Sequence, residues 1–362
     1  MGDGMQKPAR TGRRLIAVAI LVVLGLAAVG LALPGLSDFD LDARDQRELP
    51  FTAGGATLSG TLLLPDGAGE HPDAVALLVH GDGPQDRWSN GGYLPLVNAL
   101  LDRGIAVYSW DKPGIGASTG DWLDQSMQDR TEEARAAWAA VAQALPQARG
   151  RIGFLGFSQA GWVLPALAAH DGPRPAFFVL VGGAVSWQRQ GDYFTTRRLE
   201  AEGRTPEEIA QQLIETERSE EEMFSALTAG TLPEVDAARQ MGTSVERLAF
   251  IQRNRHADAS DDIAQVDAPF LAVWGSEDLN VDPQANAGDY RQLLPPSPHH
   301  RVEVLPDATH GLLRAGLFGY QLADEMPWYA KGAFLLLGRE AYAEGAIPLV
   351  GDWIVKTVQG AN

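Results

Sequence analysis

The chain of 362 residues contains no cysteine, which excludes disulfides, thiolate metal sites and a cysteine nucleophile but leaves the redox compartment open. Positive charge is scarce. There are 29 Lys and Arg against 47 Asp and Glu, a formal net charge of −18. Residues 1–36 hold four bases and one acid, so the rest carries 25 Lys and Arg against 46 Asp and Glu. Such an acidic body argues against nucleic acid as a partner and against electrostatic docking on anionic lipid. It also disfavours polyanionic substrates.

Long apolar runs are rare as well, with one exception. Lys7, Arg10, Arg13 and Arg14 precede an uninterrupted apolar stretch, Leu15 to Leu33. At about 1.5 Å per residue this stretch matches a hydrocarbon core of roughly 30 Å, and it exceeds the roughly 7–15 apolar residues of a cleaved signal. It predicts an uncleaved single-pass anchor. The basic flank before it and Asp38, Asp40, Asp42 and Asp45 after it put the N-terminus in the cytoplasm and the body outside. Export after cleavage near Ala28-Val29-Gly30 is the alternative, and Arg13-Arg14 fits a twin-arginine signal poorly.

What is present beyond residue 50 is a rhythm of buried strands and helices. Phe51 to Pro65 alternates around glycines as two antiparallel edge strands do. Ala74–Val79, Ile105–Trp110, Phe177–Val181 and Phe270–Trp274 are short runs of the kind that parallel strands buried on both faces require, a further short buried strand starts at Arg151, and Val302-Glu303-Val304-Leu305 reads as the last strand. Helices are expected around Tyr93–Asp102 and Ser126–Leu145, and amphipathic helices covering the sheet over Trp328–Leu337 and Ile347–Val358. From Ala184 to Val266 no such strand run occurs. That stretch is acidic and helical in composition, with starts expected at Thr205-Pro206 and Ser219.

Ser158 lies in Gly156-Phe157-Ser158-Gln159-Ala160-Gly161, between a predicted strand and an apolar helix expected to run on to His170. Small residues at 156, 160 and 161 suit a sharp strand-to-helix reversal that lifts a hydroxyl out of the sheet. Two further polar residues follow predicted parallel strands, Asp278 after Phe270–Trp274 and His310 after Val302–Leu305. Carboxyl ends of parallel strands share one edge, so these residues can converge with Ser158. The Gly114-Ile115-Gly116 stretch is rejected as a dinucleotide fingerprint: Pro113 precedes it, no helix starts at its glycines, and no acid follows at the required distance.

With the chain order Ser, Asp, His, and with His80-Gly81-Asp82-Gly83-Pro84-Gln85-Asp86-Arg87 and Asp111-Lys112-Pro113-Gly114-Ile115-Gly116-Ala117-Ser118, the chain from about residue 51 resembles the α/β-hydrolases. It is similar to their bacterial esterase, thioesterase and serine-peptidase-like branch. The resemblance implies a mainly parallel sheet with helices on both faces and an inserted helical cap. The implied division is residues 1–36 as basic flank and anchor, 37–183 and 267–362 as the two parts of the core, and 184–266 as the cap. It also implies that Ser158 attacks an acyl carbonyl, His310 relays its proton and Asp278 orients the imidazole. The backbone N–H groups of Gln159 and of the Gly81-Asp82 turn are implied as the oxyanion hole.

Two features depart from the pattern. Ala160 replaces the last glycine of the serine motif. Asp82 puts a carboxylate beside an oxyanion hole, where it opposes developing charge unless it is paired, with Arg87 and Lys112 as candidate partners. His80 reads as a shaper of that turn rather than a base. His299 and His300 read as solvated residues rather than metal ligands, and no metal or cofactor is implied. Glu277 and Asp282 compete with Asp278 for the acid's role, but Asp282 with Pro283 reads better as a helix cap. Trp187, Tyr193 and Phe194 open the cap, where aromatic residues line an acyl pocket or pack cap against core. The functional expectation is an anchored serine hydrolase acting on a small-molecule carboxylic ester or thioester. An exo-acting serine peptidase or amidase and a catalytically silent anchored binding module are the alternatives, and oligomeric state is left open.

Overall fold

A computed structural model describes residues 35–169 and 174–360. The main sheet has eight strands: β1 (Asp45–Glu48), β4 (Gly60–Leu64), β6 (Ile105–Trp110), β5 (Ala74–Val79), β7 (Ile152–Phe157), β8 (Phe178–Val181), β9 (Phe270–Gly275) and β10 (Arg301–Leu305), in that spatial order. From β6 to β10 every pair is parallel, while β4 runs antiparallel to both β6 and β1. This is an α/β-hydrolase sheet. All six residues of β5 are buried; Val75, Leu77 and Val79 enter one apolar cluster and Ala74, Ala76 and Leu78 the other. Period-two alternation into two cores explains why the strand reads as a continuous apolar run.

Helices α1 (Leu94–Leu101) and α12 (Ala346–Gly360) cover one face, with Val97, Leu100, Ile347, Val350 and Ile354 in the same cluster. Across the sheet lie α2 (Met127–Ala144), α3 (Leu164–Ala169) and α9 (Pro283–Leu293), which contribute Trp138, Val141, Leu167 and Tyr290. Ser126 caps α2 in a reciprocal box with Asp129, and the Asp282 carboxylate accepts from the Gln284 and Ala285 N–H groups to cap α9.

Between β8 and β9 the chain forms the helical cap: α4 (Trp187–Ala201), α5 (Pro206–Thr228), α6 (Glu234–Met241), α7 (Val245–Asn254) and α8 (Ser260–Ile263). Its own small core holds Met223, Phe224, Ala237, Ala238 and Leu248. Thr205 starts α5 with a capping box to Glu208, but Ser219 lies inside α5 and starts nothing. Beyond the cap and β10 come α10 (Ala315–Phe318) and α11 (Trp328–Leu337).

Three expectations need correction. The stretch 51–65 is not a single edge hairpin: β2 (Phe51–Ala53) and β3 (Ala56–Leu58) pair with each other apart from the main sheet, while β4 joins it. The edge strand on that side is β1, whose residues Asp-Gln-Arg-Glu join β4 through the backbone and a Thr61–Glu48 bond and so carry no hydrophobic pattern. Helix α11 does not cover the sheet. Only Ala330 of it is buried, and Trp328, at 84% exposed, stands out with Tyr329, Leu335 and Leu336.

The membrane placement expected from residues 15–33 does not stand. Among the described residues no helix is long and apolar enough to cross a membrane, and the segment that carried the expectation lies outside them.

Candidate active site

Ser158 follows β7 directly and has φ of 51°, a left-handed backbone that L-residues adopt only under constraint. The neighbouring glycine supplies the room. A Cβ on Gly156 would lie 2.6 Å from the Ala160 Cβ and 2.8 Å from the Leu164 Cδ1, and one on Gly161 would lie 2.8 Å from the Ala184 carbonyl. Ala160 therefore fits where a glycine was expected, because residue 156 has no side chain. An α-helix does not start at once: residues Ser158–Trp162 form a 3₁₀ turn, and α3 begins at Leu164. Pro165 lacks the N–H that a helix continuing from the serine would use, and it is tolerated in the first turn of α3. The continuation expected at His170 lies outside the described residues.

Asp278 sits in the turn after β9, its side chain fully buried. Its Oδ1 accepts from the Asn280 and Val281 N–H groups at 2.7 and 2.9 Å, and its Oδ2 lies 2.7 Å from His310 Nδ1. Burial alone lowers the basicity of the His310 imidazole. The adjacent carboxylate outweighs it, and the pKa stands above the ordinary value of 6.5. The imidazole also rests on Gly182, just beyond β8, where a Cβ would lie 2.8 Å from its Cε1 and Nδ1. Because Phe157 pairs with Val181, Gly182 faces Ser158 across adjacent strand ends. Asp278 and His310 are thus joined directly, and the ring lies against Gly182, at the end of the strand that pairs with the serine strand. Among the described residues the Ser158 hydroxyl has no side-chain hydrogen-bond partner.

The turn after β5 leans on the serine: a Cβ on Gly81 would lie 3.3 Å from the Ser158 Cβ. Buried cations hold its carbonyls from behind. Lys112 Nζ donates to the Gly81 and Gly83 carbonyls at 2.6 and 2.9 Å, and Arg130 Nη2 donates to the His80 carbonyl at 2.6 Å. In a trans peptide the N–H points opposite the carbonyl, so the Asp82 N–H points away from Lys112. Burial, reinforced by the Arg130 charge, pushes the Lys112 ammonium well below its usual pKa. His80 is not a base: burial and the Lys112 charge push its pKa down to about 3, and its Nε2 bonds the Trp110 carbonyl at 2.7 Å.

Neither candidate partner reaches the Asp82 carboxylate. Lys112 is used on backbone carbonyls, and Arg87 pairs with Asp111 at 2.8 Å. The partner is Arg247 of α7, which donates to both carboxylate oxygens, while the Gln159 amide donates to Oδ1 at 3.1 Å. Nothing local in the sequence points to Arg247, one charge among many in the cap. Arg130 did leave a signal. It shares a helical stripe with Ala134, Ala137 and Val141, all buried, so a charge there belongs to the core face.

Among the remaining candidates, Glu277 is exposed and bonded to Ser276, and His299 is exposed. Trp187 packs between cap and core, its ring 5.1 Å from that of Trp162 and 6.2 Å from that of Phe250. The Tyr193 hydroxyl donates to the Asp278 carbonyl at 2.8 Å. Half-buried Phe194 is tied by its own carbonyl to Gln321. Among the described residues no group of His, Asp and Glu forms a metal site.

The chain is similar to several solved structures. The chain superposes on the 2,6-dihydroxy-pseudo-oxynicotine hydrolase with a TM-score of 0.52 at 17% identity, covering 88% of this chain and 69% of that one. A Pyrococcus furiosus esterase gives 0.49 at 15% identity, with 83% and 92% covered. The esterase domain of a Rhodothermus marinus protein gives 0.48 at 16% identity, with 87% and 99% covered. No curated protein matches the sequence. The profile of the serine aminopeptidase S33 hydrolases matches residues 70–315, more than half of the chain and a span that includes the serine turn, the cap and the Asp278–His310 pair. The chain belongs to that family.

Proposed function

We propose that the protein is a serine hydrolase that cleaves a small carboxylic ester or thioester through an acyl-enzyme on Ser158. The observation that carries this reading is the 2.7 Å contact between the buried Asp278 carboxylate and His310 Nδ1, with the ring resting on Gly182 beside Ser158. With Nδ1–H held by the carboxylate, Nε2 is the free base. It takes the Ser158 proton as Oγ attacks the acyl carbon and returns it to the leaving alcohol or thiol. Water then repeats the cycle and releases the acid. The N–H groups of Gln159 and Asp82 stabilise the oxyanion; Gln159 lies in the first turn after β7, where backbone donors lack intrahelical acceptors. Tyr193 and Phe194 flank the acyl group from the cap, while Trp187 packs the cap onto Trp162.

A fluorophosphonate probe is expected to label Ser158, and Ser158→Ala to lose both labelling and p-nitrophenyl ester hydrolysis. A wild-type chain that is folded yet unlabelled from pH 6 to 9 would sink the reading.

The family description favours a second reading, an exo-acting aminopeptidase. Gripping a peptide amine needs a free carboxylate at the site, and Asp82, beside the serine turn, is engaged by Arg247 while Asp278 is engaged by His310. Comparing aminoacyl-anilides with acyl esters distinguishes the two, and faster turnover of the anilides favours the peptidase.

A further inference from the structure

Arg247 belongs to the cap, yet its guanidinium ends at the turn after β5. Its Nη1 and Nη2 donate to the Asp82 oxygens at 2.9 and 2.5 Å. Its Cζ lies 4.9 Å from the centroid of Phe250 in α7 and 5.6 Å from that of Trp122. Trp122 precedes α2 and belongs to the core, so the cation is wedged between a cap ring and a core ring. Two-pronged pairing with a carboxylate and stacking on aromatic faces both exploit the planar guanidinium, and an ammonium reproduces neither well.

Asp82 is out of place without that partner. Its backbone lies at the turn that touches Ser158, and its side chain is bonded to Gln159, the next residue after the serine. A bare carboxylate there opposes the negative charge that forms on the substrate oxygen. Burial pushes its pKa up, but the Arg247 contacts outweigh this and hold it below the usual carboxylate range, so the group is an ionised, neutralised pair.

We propose that Arg247 is a positioning residue for acyl transfer, neutralising Asp82 and seating the cap on the oxyanion turn through the same contact. The inference rests on the serine-hydrolase reading above. Its consequence is conditional competence. When the cap lifts, Arg247 leaves with it, and the Asp82 charge stands uncompensated beside the oxyanion; only the seated cap gives a site ready to react.

The test uses the full chain as wild type, Arg247→Gln, Arg247→Lys and the double variant Asp82→Ser with Arg247→Gln. A p-nitrophenyl ester reports turnover, and hydrogen exchange of the amides within 81–85, Pro84 having none, reports the turn. Arg247→Gln is expected to lower kcat about 30-fold with KM within about threefold, the pattern of an interaction made in the transition state. The ratio of its kcat to that of wild type should rise as pH falls, because protonation removes the uncompensated charge. The double variant should turn over at least about fivefold faster than Arg247→Gln, since the charge needing neutralisation is gone. Exchange at 81–85 should quicken in Arg247→Gln. The proposal is overturned by a kcat for Arg247→Gln within twofold of wild type, by a double variant no faster than the single one, or by unchanged exchange. Should Arg247→Gln fail to fold, Arg247→Lys takes its place: a several-fold loss of kcat is expected, and equality with wild type overturns the proposal. Absence of wild-type turnover and of Ser158 labelling refutes the hydrolase reading instead, and the exchange comparison still decides the contact.

Discussion

The side-chain amide of Gln159 donates to the Asp82 carboxylate at 3.1 Å, so the residue after Ser158 and the turn after β5 are fastened to each other as well as to the sheet. The same Gln159 accepts, through Oε1, from the buried Arg130. Arg130 in turn holds the His80 carbonyl. The two strand ends proposed to offer N–H groups to one substrate oxygen are thereby fixed by a chain of charge-assisted bonds, one end of it in α2 and the other in the cap.

Gln159→Ala keeps the backbone N–H and removes the link. Loss of alignment at a reacting centre costs more than loss of binding, so kcat is expected to fall about tenfold while KM changes by less than about twofold. The variant also leaves Arg130 short of a buried acceptor, which should destabilise the fold by about 1–3 kcal/mol. Steady-state kinetics alongside urea unfolding separates the two. A parallel rise in KM would instead place the Gln159 side chain on the substrate.

In the proposed reaction His310 must be neutral to accept the serine proton, and although burial lowers its pKa, Asp278 holds it above 6.5. The acid limb of kcat/KM is therefore expected above pH 6.5, with activity lost as pH falls through that limb and the imidazole charges. Asp278→Asn removes the carboxylate and leaves burial, which acts in the opposite direction, so the limb should move downward. Turnover should also drop about 10⁴-fold, the cost of a mis-set tautomer in comparable sites. A pH–rate profile of both proteins decides. An acid limb that does not move in the variant would remove Asp278 from its role.

Much of this arrangement was legible because strand ends are legible. The runs at 74–79, 105–110, 152–157 and 270–274 are buried, and such runs carry their own signal, so the turns bearing Ser158 and Asp278 could be placed at strand ends; β10, before His310, is only partly buried and was read from its place in the βα rhythm. Ala160 reads as a blemish until the missing Gly156 side chain is seen to make room for it. Arg247 was not legible, since a cation 165 residues from its partner, on a helix rich in solvated charge, has no local pattern. Strand β1 was hidden for a related reason, because a polar edge strand announces itself only through its partner's backbone. The exposed apolar side of α11 shows the reverse error, in which apolar composition was taken for burial.

Gly182→Ala tests the seat of the imidazole. The residue has φ of +62°, and a Cβ there would meet the His310 ring at 2.8 Å. Alanine in a left-handed backbone costs roughly 1–2 kcal/mol. The larger effect should be on chemistry, because the ring has to move off the position beside Ser158: a loss in kcat of about 100-fold is expected, with labelling by fluorophosphonate slowed in proportion. Near-normal turnover in a folded variant would show that the ring reaches the serine by another path.

Arg87→Ala tests the foundation beneath the turn after β5. The Asp111 side chain is 5% exposed and receives the Arg87 Nε at 3.1 Å, Nη2 at 2.8 Å and backbone N–H at 2.9 Å. Burial pushes the Asp111 carboxyl up, but the Arg87 bonds outweigh it and hold the pKa below 3.8. A carboxylate depressed in this way contributes stability above its unfolded pKa and loses it as pH falls through the folded value, so the pair is fully effective at pH 7. Without Arg87 the buried charge has lost its counterion, and unfolding free energy should drop by about 3 kcal/mol at neutral pH. In the variant the guanidinium is gone and only the backbone N–H groups of residues 87 and 117 still oppose burial, so the folded pKa rises relative to wild type and protonation costs the variant less. The stability gap between wild type and variant should accordingly narrow between pH 7 and pH 4, as measured by urea unfolding. An equal gap at both pH values would mean that Arg87 acts through its bonds to Ser59, Thr61 and Glu48 rather than through Asp111.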